Sequence, residues 1–269
     1  MENFENKVAD TLFVPLRGRI YCVETFPHLL KDDKVISIKD KIPPEKENAK
    51  QSQYTLIASA VRSINMDRFI KNFMEENPDG VIVEIGCGLE TTYNRNDDGK
   101  HRWYAMDLPE VIEYREKILP PGERQTLIKG DILKTDWMDK INEEINSKPV
   151  IFSAGGLFHY FPKEDILTTI RNLQQKFKNA QLVFDTLNHW GIKGIKKYMK
   201  QIGHEEATMY FYVDNGKDLI REIGEPAKLL KEQKYYSEIP LKGMDLVTKA
   251  TIKSSDALYM VKMIHLKLN

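Results

Sequence analysis

Four stretches of this sequence carry residues whose types and spacing suit chemistry. The first is Glu84-Ile85-Gly86-Cys87-Gly88-Leu89-Glu90, a glycine pair directly after an apolar run. Glycine there lets the backbone turn tightly and come close to a ligand. Asp107, nineteen residues beyond Gly88, also ends an apolar run. A carboxylate at that place can accept both hydroxyl hydrogens of a ribose. Gly130-Asp131-Ile132 repeats the arrangement, with an acid able to accept from an exocyclic amine and Ile132 to pack on the ring. Asp131 would serve equally as a cap for the following helix. In the fourth stretch, Ala154-Gly155-Gly156-Leu157-Phe158-His159-Tyr160, His159 is a candidate general base, with a packed structural histidine as the competing reading.

Two ligand classes share a glycine turn followed by a ribose-binding acid. A dinucleotide site uses G-x-G-x-x-G and rests a pyrophosphate on the start of a helix. Here the third glycine position is Thr91, and Glu84 and Glu90 bring negative charge to the diphosphate's place. The acids suit an adenosine with a cationic tail and no phosphate. S-adenosylmethionine is such a ligand, and the charge argument favours it over a nicotinamide dinucleotide. The six histidines show no H-x-x-x-H or H-E-x-x-H spacing, so no metal is expected.

The elements that must position these residues follow from periodicity. Val81–Ile85, Arg102–Met106, Thr126–Ile128, Pro149–Ser153 and Gln181–Phe184 read as short strands. Asn48–Met74, the segment from Pro109, and Lys163–Phe177 read as helices. Ala257–Leu266 reads as a last strand, and Lys228–Tyr236 as either strand or short helix. Strand alternating with helix argues for an α/β protein with a parallel sheet covered on both faces. Ligands of such sheets bind beyond the carboxyl ends of the strands, where Glu84, Asp107, Asp131 and Gly155 all fall.

The 269 residues are 41% apolar and 30% charged, an ordinary globular balance. Forty basic side chains cancel forty acidic ones, so no broad basic face for nucleic acid or an anionic membrane is expected. No apolar run reaches the roughly 18 residues of a membrane helix, and the first ten residues do not read as a secretory signal. Only Cys22 and Cys87 occur, which suits a reducing, cytoplasmic setting without a disulfide framework.

Three stretches together resemble the S-adenosylmethionine-dependent methyltransferases of the leucine carboxyl methyltransferase group, and within it the bacterial polyketide-type O-methyltransferases. They are Val83-Glu84-Ile85-Gly86-Cys87-Gly88-Leu89-Glu90-Thr91-Thr92, Asp107-Leu108-Pro109-Glu110-Val111-Ile112, and Ala154 through Pro162. Leu12-Phe13-Val14-Pro15-Leu16-Arg17-Gly18-Arg19 looks like that group's opening segment, and the similarity fades after about residue 190. The resemblance implies a Rossmann-like class I methyltransferase fold. Its mostly parallel seven-stranded sheet would carry helices on both faces and an N-terminal helical cap. Residues 1–78 would form the cap, and 79–269 the catalytic domain, with a substrate-covering insertion near 186–225.

The resemblance also distributes roles. Arg62 would hold the methionine carboxylate, a task that suits a guanidinium fork. Gly86-Cys87-Gly88 would face the methionine part, with Glu84 beside it. Asp107 and Leu108 would hold the ribose, and Asp131 and Ile132 would frame the adenine. Ala154-Gly155 would lie near the cofactor amine, where the group usually has a glutamate and this chain has Gly155. The expected function is O-methylation of a hydroxyl or carboxyl on a small, aromatic or polyketide-like molecule. Trp190, Tyr198 and Tyr210-Phe211-Tyr212 are available to line the acceptor site. A protein carboxyl methyltransferase, a nicotinamide-dependent oxidoreductase and a non-catalytic cofactor-binding relative stay open at this point, as does the oligomeric state.

Overall fold

The apolar runs become strands β1 (Val81–Ile85), β2 (Arg102–Asp107), β3 (Gln125–Lys129), β4 (Val150–Ala154) and β5 (Ala180–Leu187). Two more follow, β6 (Lys228–Lys234) and β7 (Val261–Lys267). In this computed structural model, which describes residues 2–43, 51–194 and 209–269 with side chains from residue 12 onward, they form one sheet in the order β3-β2-β1-β4-β5-β7-β6. β1 to β5 pair in parallel, and β7 runs antiparallel to both its neighbours. The mostly parallel seven-stranded α/β sheet is therefore present. β1 and β4 lie at its centre and are buried at every position, which is why they read as unbroken apolar runs.

Alternate residues of each strand face opposite helical layers. Val83, Ile85, Phe152 and Phe184 meet Trp137 and Ile141 of α6 (Asp136–Ile145) and Ile166, Ile170 and Leu173 of α7 (Lys163–Lys176). Ile82, Trp103, Ile151 and Val183 meet Ile57, Val61, Ile70 and Phe73 of α3 (Gln53–Glu76). α3 thus covers the sheet directly, although it falls within the span expected to form a cap. Its start is capped by Ser52, whose hydroxyl accepts from Thr55 N. The earlier part of the helix expected from Asn48 lies outside the described residues.

The last zone differs from expectation. The alternation beginning at Ala257 is not one strand: helix Leu246–Ala257 precedes β7, started by Asp245 accepting from Thr248 N. This helix is rich in Ser, Thr and Lys and carries little apolar stripe, so periodicity misses it. Lys228–Lys234 resolves as edge strand β6, with Lys228 and Lys231 exposed and Lys234 lying over the Tyr259 ring. Among the described residues no helix is long and apolar enough to cross a membrane.

α1 (Glu2–Thr25) and α2 (Asp33–Ser37) sit over the carboxyl end of the sheet. Phe13, Leu16 and Ile20 pack with Val35, Ile38, Leu89 and Leu119. A buried ion lattice fixes this cap to short helix α4 (Thr92–Asn96), which follows the glycine turn. Arg95 donates to Asp67 of α3 through Nε and Nη2, and to Asp32 and Glu90 through Nη1. Asp32 also accepts from Val35 N as the cap of α2. Glu90 accepts from Arg19 of α1 at 2.8 Å and from Ser63 of α3. One buried guanidinium therefore ties together three carboxylates from separate elements, of which Asp32 is the most deeply buried.

Arg95→Ala leaves those carboxylates buried without their shared cation. Removing one partner of a buried pair costs about 3–5 kcal/mol. A fall of that size in unfolding free energy by urea titration is expected, and a loss under 1 kcal/mol would show that the cap does not depend on this lattice.

Candidate active site

The chain leaving β1 turns back on itself at Gly86 and Gly88, both with left-handed backbone, φ +65° and +43°. A side chain is strained there, and one at Gly86 would begin 2.7 Å from Leu157 Cδ2. Gly86 N and Cys87 N both donate to Met106 O of β2. Asp107, the next residue, accepts from Gly88 N at 2.7 Å through Oδ2 and from Leu108 N at 2.8 Å through Oδ1. Because Ile85 pairs with Met106, the turn and the acid stand side by side. Each carboxylate oxygen retains acceptor capacity for a hydroxyl. Leu108 caps α5 (Pro109–Ile118) and is exposed, whereas Cys87 is buried beneath the turn against Ala105 and Ile112. Arg115 of α5, fully buried, braces the turn from below by donating to Gly88 O at 2.8 Å.

A second group meets beyond β4. Ala154 is buried at the strand end, and Gly155 and Gly156 follow it, half-buried. Arg62 of α3 lies against both, since a Cβ on Gly156 would begin 2.6 Å from its Nη1. Asp185 of β5 accepts from Gly156 N at 2.6 Å and from Arg62 Nε at 2.9 Å. Gly155 brings no acid, but a carboxylate reaches this loop from the neighbouring strand. Burial works against the Arg62 charge, yet Asp185 outweighs it and the guanidinium pKa is raised. His159 is buried beside this pair with Nδ1 unpartnered. Burial first, and Arg62 second, hold its imidazole down at about 4 against the pull of Asp185. It is neutral at pH 7 and weakly basic.

The two glutamates of the first motif both have basic neighbours within the protein. Glu90 is paired with Arg19 and Arg95. Burial would raise its pKa, but Arg19 and Arg95 outweigh that and hold it at about 2. Its charge is offset by two guanidinium groups, so it is no obstacle to a diphosphate. Glu84 is buried among Thr92, Arg115 and Glu90, with Oε2 lacking a partner. Thr91, at the third glycine position, is fully buried and donates to Asp32.

Asp131 lies in the turn after β3, where its carboxylate accepts from Leu133 N. Ile132 is buried in the core with Trp137, and its carbonyl accepts from Thr169. Around the insertion, Phe211 packs on Phe158 and Phe184 while Tyr210, Tyr212 and Trp190 are exposed. Tyr198 lies outside the described residues. Sequence reasoning passed over Asp185, although the strand-end rule that found Asp107 points to it. It also passed over Arg115, whose spacing from Ile112 and Ile118 places it on the apolar stripe of α5.

Comparison with known proteins gives a consistent picture. The profile of the leucine carboxyl methyltransferase family matches residues 10–174. A tetracenomycin polyketide synthesis O-methyltransferase of Streptomyces glaucescens is 24% identical over 173 residues, which cover 64% of this chain and 62% of that enzyme. The alignment thus spans less than two thirds of that relative's length. Among solved structures, a DUF574 family protein from Streptomyces avermitilis aligns with TM-score 0.61 at 14% identity, over 93% of this chain and 96% of its own. Magnesium protoporphyrin IX methyltransferase from Synechocystis with bound S-adenosylhomocysteine aligns with TM-score 0.52 at 12% identity, over 93% and 97%. These likenesses establish a fold shared with Rossmann-like methyltransferases.

The burial of Glu84 has a measurable consequence. Desolvation, with Glu90 adding to it and Arg115 opposing, raises its carboxyl from 4.5 to about 7. Below pH 4.5 both folded and unfolded chains hold the proton; between about 4.5 and 7 only the folded chain does. Stability from this group is therefore lost as pH rises through that window. Urea titrations of Glu84→Gln should show its stability growing relative to the parent from pH 4.5 to 7 and levelling above. A pH-independent difference would mean that Glu84 is ionised throughout.

Proposed function

Because this chain belongs to the leucine carboxyl methyltransferase family, we propose that it transfers the methyl group of S-adenosylmethionine to an oxygen of a small molecule. The observation that supports this most is the left-handed Gly86–Gly88 turn locked to Asp107 at the adjacent ends of β1 and β2. The residues suit the cofactor. The turn lacks the side chains that would fill it, Asp107 has lone pairs for a ribose, and Arg62 has Nη donors for a carboxylate. Asp131 and Ile132 are assigned to the adenine end, with Leu108 beside the ribose. When bound, the cofactor supplies an electrophilic methyl on a sulfonium.

The protein's share of the reaction is alignment, which can lower a barrier by several kcal/mol, up to roughly 7–11. The turn and Asp107 fix one reactant, and the cap with residues 186–194 and 209–225 encloses the other; residues 195–208 of the expected insertion lie outside the described residues. We divide the labour accordingly: α1 and α2 cap the site, the sheet and its helices hold the cofactor, and Tyr210, Tyr212 and Trp190 receive an aromatic, polyketide-like acceptor. Both cysteines are unpaired and buried, in keeping with a cytoplasmic protein. A carboxylate acceptor arrives ionised and needs no base. For a hydroxyl acceptor His159 is the proposed base, unprotonated at neutral pH.

Calorimetry with S-adenosylhomocysteine should give binding that Asp107→Asn weakens about ten- to a hundredfold, the range for hydrogen bonds to a charged group. Tight NADH binding with none for S-adenosylhomocysteine would reverse the assignment. In a panel of phenols and carboxylic acids, labelled methyl should appear on oxygen. His159→Gln should slow transfer to phenols by about tenfold or more while sparing carboxylates, as expected for a lost general base. Equal slowing of both would remove His159 from that role.

A further inference from the structure

The pair formed by Arg62 and Asp185 carries more than a link between α3 and β5. Asp185 is buried within β5, just past the level at which β4 ends, and its two oxygens are used separately: Oδ1 takes Gly156 N at 2.6 Å, and Oδ2 takes Arg62 Nε at 2.9 Å. An arginine that serves only to satisfy a carboxylate commonly uses both arms of its fork, in the bidentate pairing. Here the contact is made at Nε alone. Nη1 and Nη2 meet no other carboxylate among the described residues, although the side chain is only 23% exposed, and the neighbour they do have is the Tyr235 hydroxyl, itself donating to Ala58 O.

The backbone opposite the fork is glycine. A Cβ on Gly156 would begin 2.6 Å from Nη1 and 2.7 Å from Cζ, so the guanidinium occupies the place a side chain would take, and φ +68° strains any residue but glycine there. The same loop continues into Leu157, whose methyl lies where a Gly86 side chain would begin. The guanidinium therefore lies against the residue that precedes Leu157, and Leu157 packs on the glycine turn. Asp185 fixes both halves of this arrangement, the loop through Gly156 N and the arginine through Nε.

We propose that Asp185 is a positioning residue, which holds Arg62 by Nε so that its two Nη groups face the carboxylate of an amino-acid-bearing nucleoside. The proposal rests on the methyl-donor reading. It assigns to Asp185 no contact with the reacting atoms. An asparagine there keeps the size and one acceptor but loses the charge that fixes the guanidinium.

The test uses two ligands that differ at the relevant end. S-adenosylhomocysteine carries the amino-acid carboxylate; 5′-methylthioadenosine keeps the nucleoside and the sulfur and lacks it. Calorimetry on the full chain should show Asp185→Asn weakening S-adenosylhomocysteine by about tenfold or more, with 5′-methylthioadenosine within about twofold. Arg62→Lys, which keeps the charge and loses the fork, should give the same selective loss. It serves as the second measurement should Asp185→Asn fail to give a cooperative thermal transition. Equal weakening of both ligands, or no weakening of S-adenosylhomocysteine, overturns the proposal while leaving the methyl-donor reading standing. A parent chain that binds neither ligand overturns the reading, and the proposal with it.

Discussion

The site depends on a short piece of left-handed backbone kept in place from several sides. Gly86 and Gly88 adopt conformations that other residues resist, and Met106 O, the Asp107 carboxylate and the Arg115 guanidinium each take a hydrogen bond from or give one to the turn. The pairing of β1 with β2 is what brings these partners to it. Asp107 therefore has two duties. It holds the turn in the free protein, and in the proposed reading its remaining lone pairs take a sugar hydroxyl. A site preset in this way loses less conformational freedom when a ligand arrives.

Around the turn lies an unusual concentration of buried charge. Arg19, Arg95 and Arg115 are answered by Asp32, Asp67, Glu84 and Glu90, drawn from the cap, from α3, and from the segments after β1 and β2. Such lattices add little net stability compared with apolar packing, but they are intolerant of misplacement, because any member left alone is costly. Their effect here is geometric. They tie Arg19 of α1 and Asp32 before α2 to α3, α4 and the turn after β1. Glu84 is the member with an unsatisfied oxygen, and its raised pKa reflects that.

How much of this was legible in the sequence follows from the range of each interaction. β1 to β5 and α7 were readable because burial on one or both faces writes a period into neighbouring residues. The rule that sites lie past strand ends points to Asp107 and Asp131 as candidates, and the family resemblance adds Arg62; the structure places Asp107 beside the glycine turn and Arg62 beside Gly156. The lattice was hidden because Arg19 and Glu90 are 71 residues apart and Arg95 and Asp32 are 63 apart. Without those partners, Glu90 looked like an acid awaiting a cationic ligand. Asp185 was hidden for a related reason. Only the pairing of Ala154 with Phe184 reveals that the next residue of β5 overhangs the loop after β4. Helix Leu246–Ala257 escaped because its exposed, polar surface leaves no stripe to detect.

The order of strands has a consequence for assembly. β7, last of the seven in sequence, lies between β5 and β6. Until it arrives, β5 has one open flank and β6 has no neighbour at all. The lysines at 228, 231 and 234 keep that waiting segment charged and hydrated, a poor template for pairing with other nascent chains. The sheet thus closes like a zip fastener whose final tooth sits inside the row, and its completion is deferred until the last strand slots in beside the edge.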